Sequence, residues 1–140
     1  MNSSAANEQP DIEPFISVTS SYSVPESGDR LEKALIEKGL TLFARINHSE
    51  NAASVDMSLT PTEVIIFGNP KAGTPLMQCS ASVAIDLPQK MLIREDAEGV
   101  THLTYNNPLY LQIQHGISGC DAMLSKVSDL IAMLAKSVAN

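Results

Sequence analysis

The chain has 140 residues, a formal net charge of -7 and a hydrophobic content of 44%. A chain of this size buries roughly 68% of the surface that its unfolded state exposes, so it can form a core without metal ions or disulfides. Proteins that bind nucleic acid need a basic face to displace counterions from phosphates, and the acidic charge therefore argues against nucleic acid as a partner. A membrane partner is likewise not expected, because the sequence contains no apolar run of about 20 residues.

The N-terminal residues are predicted to form a flexible tail, and the rest of the chain a single domain. Residues 1–14 are polar and contain two prolines, which is typical of a loosely attached segment. The domain is expected over residues 15–140. Because the tail has no apolar region of signal-peptide type, the sequence leaves a cytoplasmic and a periplasmic location both open.

Hydrophobic periodicity predicts the elements of the domain. Alternating or continuous apolar residues predict strands over residues 15–24, 40–47, 63–67, 90–95 and 100–105. Apolar residues at spacings of three and four predict helices over residues 30–38, 50–57 and 76–85, and from Leu124 to Val138. The side chains predicted to cap these helices are, in chain order, Ser27, Ser49, Thr74 and Ser118.

The order of the predicted elements indicates the fold class. It is β-α-β-α-β-α-β-β-α, and the last two strands are joined by a tight turn at residues 96–99. Tight turns between some strands and helices between others are typical of an α+β domain. We therefore predict a mostly antiparallel sheet with helices packed on one side.

The segment from Gly68 to Gly73 is predicted to be a loop between a central strand and a helix. Free backbone N–H groups at the start of that helix, together with the helix dipole, would favour a small anion. Lys71 would add a positive charge to such a site. The turn-forming character of Gly, Asn and Pro explains the same residues without any ligand.

Several short motifs carry a resemblance to a known family. They are Asn47-His48, Phe67-Gly68-Asn69-Pro70, Ala84-Ile85-Asp86-Leu87-Pro88, Tyr105 with Asn107-Pro108, and His115-Gly116. With these motifs the chain resembles, from Val18 to Leu134, the family called domain of unknown function 302. The resemblance implies a bacterial or archaeal protein, a homodimer, and a β-α-β(4)-α fold similar to that of the TATA-binding protein. It implies no catalytic residues.

The residues predicted to bind a ligand belong to the Gly68–Gly73 segment or to the polar positions of the family motifs. They are His48, Gly68, Asn69, Lys71, Gly73, Thr74, Tyr105 and His115. No metal site or cofactor is predicted, because the three histidines are dispersed and neither cysteine has a partner at zinc-ligand spacing. The sequence leaves open whether Cys79 and Cys120 are free thiols or a disulfide.

The preferred hypothesis is a homodimeric domain that binds a small molecule or an anion near His48 and the Gly68–Gly73 segment. A first alternative is an enzyme for a small substrate that uses His48 or a cysteine as acid, base or nucleophile. A second alternative is a protein-interaction module that uses an exposed sheet face or the last helix. No paired carboxylates or Ser-His-Asp order in the sequence favours an enzyme over a binding domain.

Overall fold

The computed structural model describes residues 12–140, which form one antiparallel five-stranded sheet with helices on one side. The strands are β1 (Phe15–Ser20), β2 (Thr41–Asn47), β3 (Thr62–Gly68), β4 (Gln89–Glu95) and β5 (Thr101–Asn106). Their order across the sheet is β1-β5-β4-β3-β2, and every neighbouring pair is antiparallel. The predicted α+β class is therefore confirmed.

Two of the helices form the main core with the sheet, and a second core lies between helices. The helices are α1 (Val24–Glu37), α2 (His48–Ala53), α3 (Pro70–Cys79), α4 (Pro108–His115) and α5 (Asp121–Ala139), with a 3-10 helix at Ala81–Ile85. Residues of α1 and α5 form the main core with the inward side chains of the central strands, among them Ile65, Met91 and Leu103. A smaller core lies between α3, α4 and the start of α5 around Leu76 and Leu111.

A disulfide joins Cys79, the last residue of α3, to Cys120, the residue before α5. The two Cα atoms are 6.5 Å apart, a separation typical of disulfides. The bond settles the question that the sequence left open. It also excludes either sulfur as a nucleophile while the bond is intact, because a disulfide sulfur carries no thiolate.

The edge strand β2 departs from the regular alternation predicted for it. A bulge between Leu42 and Ala44 inserts an extra residue opposite β3. Leu42 and Arg45 consequently pair with the inward residues of β3, whereas Ala44 turns to the other face. Strict alternation of the apolar residues over 40–47 would place Leu42 and Ala44 on one face of the sheet, and the bulge separates them.

The bulge places Arg45 among acidic side chains on the helix side of the sheet. Its guanidinium donates hydrogen bonds to Asp29 at 2.8 Å, to Glu32 at 2.6 Å and to the buried Glu63 at 2.6 Å. Burial alone would lower the pKa of Arg45, but its hydrogen bonds to the three carboxylates raise the pKa above its ordinary value. Arg45 therefore stays charged and ties the edge strand to α1.

The helix starts differ from the predicted ones in a consistent way. Ser23, Asn47, Asn69 and Asn107 are the capping residues of the first four helices, and each side chain accepts a hydrogen bond from a backbone N–H of the first turn. The predicted caps Ser27, Ser49 and Thr74 are therefore wrong, and α5 begins after Cys120 without a side-chain cap bond from Ser118. Helix α4 is absent from the predicted elements, because Asn107-Pro108 is as typical of a turn after a strand as of a helix start.

The first strand ends earlier than predicted, and the structure describes the chain from residue 12 on. Strand β1 ends at Ser20 and α1 begins at Val24, so the strand predicted over residues 15–24 is too long. Residues 1–11 of the predicted tail lie outside the described residues. The carbonyl groups of Glu13 and Pro14 accept hydrogen bonds from the side-chain amide and the backbone N–H of Asn107.

Candidate functional site

The Phe67–Pro70 turn joins the inner strand β3, the neighbour of the edge strand β2, directly to α3. Asn69 is extended and caps the helix, and its side-chain oxygen accepts the Lys71 N–H at 3.0 Å. Pro70 has no N–H, and the N–H groups of Ala72 and Gly73 both donate to the Asn69 carbonyl at 2.9 Å. The first-turn donors are thus bonded within the helix, and the donors that an anion would need there are already in use.

A mostly apolar cavity of about 240 Å³ opens beside this turn. We call it the α3 pocket. Its walls come from the start of β2, the end of β3, helix α3, the start of β4 and the middle of α5. They comprise Leu40, Phe43, Phe67, Gly68, Asn69, Pro70, Ala72, Gly73, Thr74, Leu76, Met77, Leu87, Pro88, Gln89, Val127, Leu130 and Ile131.

Gln89 is the unusual residue of the α3 pocket. It is the first residue of β4, where it pairs with Phe67, and it is only 7% exposed. Its side-chain nitrogen is buried and has no hydrogen-bond partner among residues 12–140. Since buried amides are nearly always hydrogen-bonded, the unpaired amide nitrogen of this pocket-lining residue is an exception in an otherwise mostly apolar wall.

The disulfide fixes two walls of the α3 pocket relative to each other. It joins the end of α3, which supplies Leu76 and Met77, to the start of α5, which supplies Val127 further along. The pocket is therefore bounded by elements whose separation is covalently restrained, and such preformed cavities bind ligands with little ordering cost.

The structure brings together half of the predicted ligand-binding residues. Gly68, Asn69, Gly73 and Thr74 line the α3 pocket. Lys71 is exposed on the first turn of α3 and is not part of the wall.

His48 lies far from this pocket. In the β2–β3 pair, Thr41 faces Gly68 and Asn47 faces Glu63, so His48 follows the opposite end of β2. At about 3.3 Å per residue, this separation is roughly 20 Å. The predicted convergence of His48 with the Gly68–Gly73 segment is therefore wrong, and His48 is an exposed residue at the start of α2.

The last two predicted residues occupy other places. Tyr105 is 4% exposed within the main core, and burial raises the pKa of its hydroxyl. His115 ends α4, where its ring contacts Asp86 and Ser82. Neither residue lines the α3 pocket.

The sequence prediction missed Gln89, although a signal for it was present. Gln89, Met91 and Ile93 alternate along β4, and all three point to the buried face. A glutamine at the first inward position of an otherwise apolar series marks a buried polar group. The predicted strand began at residue 90, which hid this pattern.

Within residues 12–140, no three His, Cys, Asp or Glu side chains are grouped so that they could hold a metal ion. In the same part of the chain, no helix has both the length and the apolar character needed to cross a membrane.

The fold and the pocket define an α+β domain with a preformed apolar cavity beside the third strand. The sequence pattern of the family described as domain of unknown function DUF302 matches residues 16–135, and the chain belongs to this family. The crystal structure of an uncharacterized conserved protein DUF302 from Bacillus stearothermophilus superposes with a TM-score of 0.81 at 17% sequence identity. The superposition covers 91% of this chain and 99% of that chain, which shows a shared fold.

The chain is also similar to part of two larger proteins. It is 38% identical over 103 residues to proteins named fluoride-specific ion channel FluC 1 in Brucella suis biovar 1 (strain 1330) and in Brucella abortus biovar 1 (strain 9-941). The matched region is 74% of this chain but 41% and 38% of those two proteins. The chain therefore spans about two fifths of the length of these relatives.

Proposed function

We propose that the protein is a binding domain for a small, largely apolar molecule that carries one hydrogen-bond acceptor. The observation that carries this proposal is the buried, unpaired Gln89 amide nitrogen in the wall of the α3 pocket. A ligand acceptor would satisfy a donor whose desolvation otherwise costs about 1–3 kcal/mol.

The size of the α3 pocket limits the ligand. An apolar cavity of about 150 Å³ is enough to bind benzene, and this cavity measures about 240 Å³. It is smaller than the roughly 300–1,000 Å³ of pockets that hold drug-sized ligands. We therefore expect a compact molecule such as a substituted aromatic ring or a short acyl chain.

A neutral acceptor suits this pocket better than an anion does. The first-turn N–H groups of α3 are occupied by Asn69, and the Lys71 side chain lies outside the wall. A charged group in a mostly apolar cavity would lose its hydration without gaining a counter-charge. Of the two ligand classes predicted from the sequence, we therefore propose a small neutral molecule rather than an anion.

Two matched compounds test the proposal. Acetophenone presents a carbonyl acceptor, and α-methylstyrene has nearly the same shape with a methylene in place of the oxygen. We expect acetophenone to raise the melting temperature and to bind about tenfold more tightly, which corresponds to one hydrogen bond to Gln89. Equal affinities, or binding of neither compound, would contradict the proposed role of Gln89.

A pair of variants locates the binding. Ala72 lines the α3 pocket, so Ala72→Leu would fill the cavity and abolish binding of acetophenone. Gln78 is exposed on the same helix outside the wall, so Gln78→Leu would leave binding unchanged. Binding that survives Ala72→Leu would place the ligand elsewhere on the protein.

Fluoride conduction is a property named for the larger Brucella proteins, of which this chain matches about two fifths. We propose that this chain corresponds to a ligand-binding unit and does not itself carry a fluoride-specific activity. Sodium fluoride, compared with equal sodium chloride, should then leave the melting temperature of this protein unchanged. A rise with fluoride alone would show that the domain itself binds the ion.

Homodimer formation remains a proposal. Val55, Met57 and Leu59 follow α2 and are 63%, 67% and 49% exposed, which supports burial against a second copy. Sedimentation should give a mass of twice 15.0 kDa, and Met57→Lys should shift the protein to monomer. A monomer at millimolar concentration would refute the dimer.

The disulfide favours the periplasmic location of the two that the sequence allowed, because disulfides persist in oxidising compartments. A periplasmic location requires a bacterial origin, which the family resemblance also implies. Alkylation of free thiols in freshly lysed cells should leave Cys79 and Cys120 unmodified. Complete modification of both would indicate a reducing compartment.

A further inference from the structure

Three residues outside the α3 pocket form a hydrogen-bonded array. The Ser82 hydroxyl lies 2.8 Å from His115 Nδ1, and His115 Nε2 lies 2.5 Å from an oxygen of Asp86. The His115 side chain is only 7% exposed and that of Asp86 is 25% exposed, whereas Ser82 is open to solvent. A buried imidazole thus connects a carboxylate to an accessible hydroxyl.

The chemistry of these groups determines where the protons lie. An ionised carboxylate only accepts hydrogen bonds, so the proton between His115 and Asp86 is bonded to His115 Nε2, which donates to the Asp86 carboxylate. In the neutral imidazole Nδ1 then holds the free lone pair, and the Ser82 hydroxyl donates to it. This is the tautomer in which a histidine acts as general base toward a serine.

The array is held by the local structure. Ser82 lies in the 3-10 helix, Asp86 follows it, and His115 is the last residue of α4. The Ser80 hydroxyl donates to the His115 carbonyl at 2.9 Å, and the buried Val83 anchors the 3-10 helix in the smaller core. A depression of about 310 Å³ lies beside Asp86, which lines it together with Tyr110 and Gln114 among others, whereas Ser82 and His115 are not in its wall.

We propose that Ser82 is a nucleophile toward esters of small acyl groups, with His115 as its general base and Asp86 as the positioning residue. Ser82 Oγ forms a bond to the acyl carbon and passes its proton to His115 Nδ1. The ester C–O bond then breaks, and the leaving alcohol takes that proton. Water repeats the sequence on the acyl-serine and releases a carboxylic acid, which restores Ser82.

The two nitrogens of His115 are used in the opposite sense from the usual serine triad, in which the carboxylate binds Nδ1. Proton transfer requires only that serine and carboxylate contact different nitrogens of one ring. The proposal is independent of the α3 pocket, because Ser82, Asp86 and His115 are not part of its wall.

An alkyl fluorophosphonate, which reacts covalently with activated serines, tests this proposal when followed by intact-protein mass spectrometry. We expect one adduct, located on Ser82 and absent from Ser82→Ala. His115→Gln and Asp86→Asn should each slow its formation about 100-fold, the contribution typical of a general base. Ser118→Ala, at an exposed serine outside the array, should react at the wild-type rate.

Nitrogen NMR of the His115 ring reports which ring nitrogen carries the proton. Asp86→Asn would leave this tautomer unchanged if Asp86 had only a structural role. Nε2 should be protonated in the wild-type protein, and Asp86→Asn should alter this tautomer while leaving the protein folded. The proposal is overturned by an absent adduct, by an adduct that persists in Ser82→Ala, or by wild-type rates in either of the other two variants. Thermal melts identify any variant that fails to fold. If either His115→Gln or Asp86→Asn does not fold, the reaction rate of the other variant tests the proposal.

Discussion

Replacement of Gln89 by methionine separates the stability of the domain from its proposed function. The glutamine nitrogen is buried without a partner, and an unsatisfied buried donor costs about 1–3 kcal/mol. Methionine has a similar length and no donor, so it removes this cost and keeps contact with the apolar wall. We expect Gln89→Met to stabilise the unliganded protein by about 1 kcal/mol and to raise its melting temperature by about 4 °C.

Urea denaturation and calorimetry of the two proteins measure this difference. Gln78→Met, at an exposed position of α3, is the matched control and should change the free energy of unfolding by less than about 0.5 kcal/mol. The same Gln89→Met variant should bind acetophenone more weakly than the wild type does. A variant that is less stable than the wild type would show that the Gln89 amide is satisfied, and would refute the reasoning.

Three further predictions concern the stability of the domain. The Cys79–Cys120 disulfide joins residues 41 positions apart. Replacing both cysteines by alanine should therefore lower the free energy of unfolding, measured by urea denaturation, by about 4 kcal/mol. An unchanged urea midpoint would contradict this prediction. Glu63→Gln weakens the buried partner of Arg45 and should cost about 1–3 kcal/mol by calorimetry at neutral pH, whereas a neutral effect would show that other carboxylates compensate. A hydrogen bond from His102 and, second, one from the Val100 backbone lower the pKa of Asp96 below its ordinary 3.8. The contribution of the Asp96 carboxylate to folding stability should therefore be complete above about pH 5 and disappear as the pH falls through the folded-state pKa. Parallel acid titrations of the wild type and Asp96→Asn should therefore converge at low pH, and a constant gap would contradict the linkage.

The sheet was predictable because its signals are local. Alternating or continuous apolar residues predict all five strands to within a few residues, and the turn at residues 96–99 predicts the β4–β5 pairing. Helix starts were less predictable because the Asn-Pro dipeptide occurs both in loops and at the start of helices. In Asn69-Pro70 and Asn107-Pro108 the asparagine caps a helix and the proline takes its first position, whereas the sequence was interpreted as a loop or a break.

The candidate sites were predictable only in part, because their residues meet through tertiary contacts. The turn at Gly68 and Asn69 lies beside a cavity, but the opposite wall of that cavity comes from α5, about 60 residues later in the chain. His115 meets Ser82 and Asp86 across 33 and 29 residues, and no spacing rule connects such positions. The bulge in β2 was likewise invisible, because it depends on pairing with β3.

The central claim is that the α3 pocket binds a small apolar ligand through Gln89. A crystal structure of the protein saturated with acetophenone tests it most directly. We expect the ring to lie among the apolar side chains of the pocket, with its carbonyl oxygen about 2.9 Å from Gln89 Nε2. A pocket without acetophenone at saturating concentration, or a carbonyl directed away from Gln89, would contradict the claim.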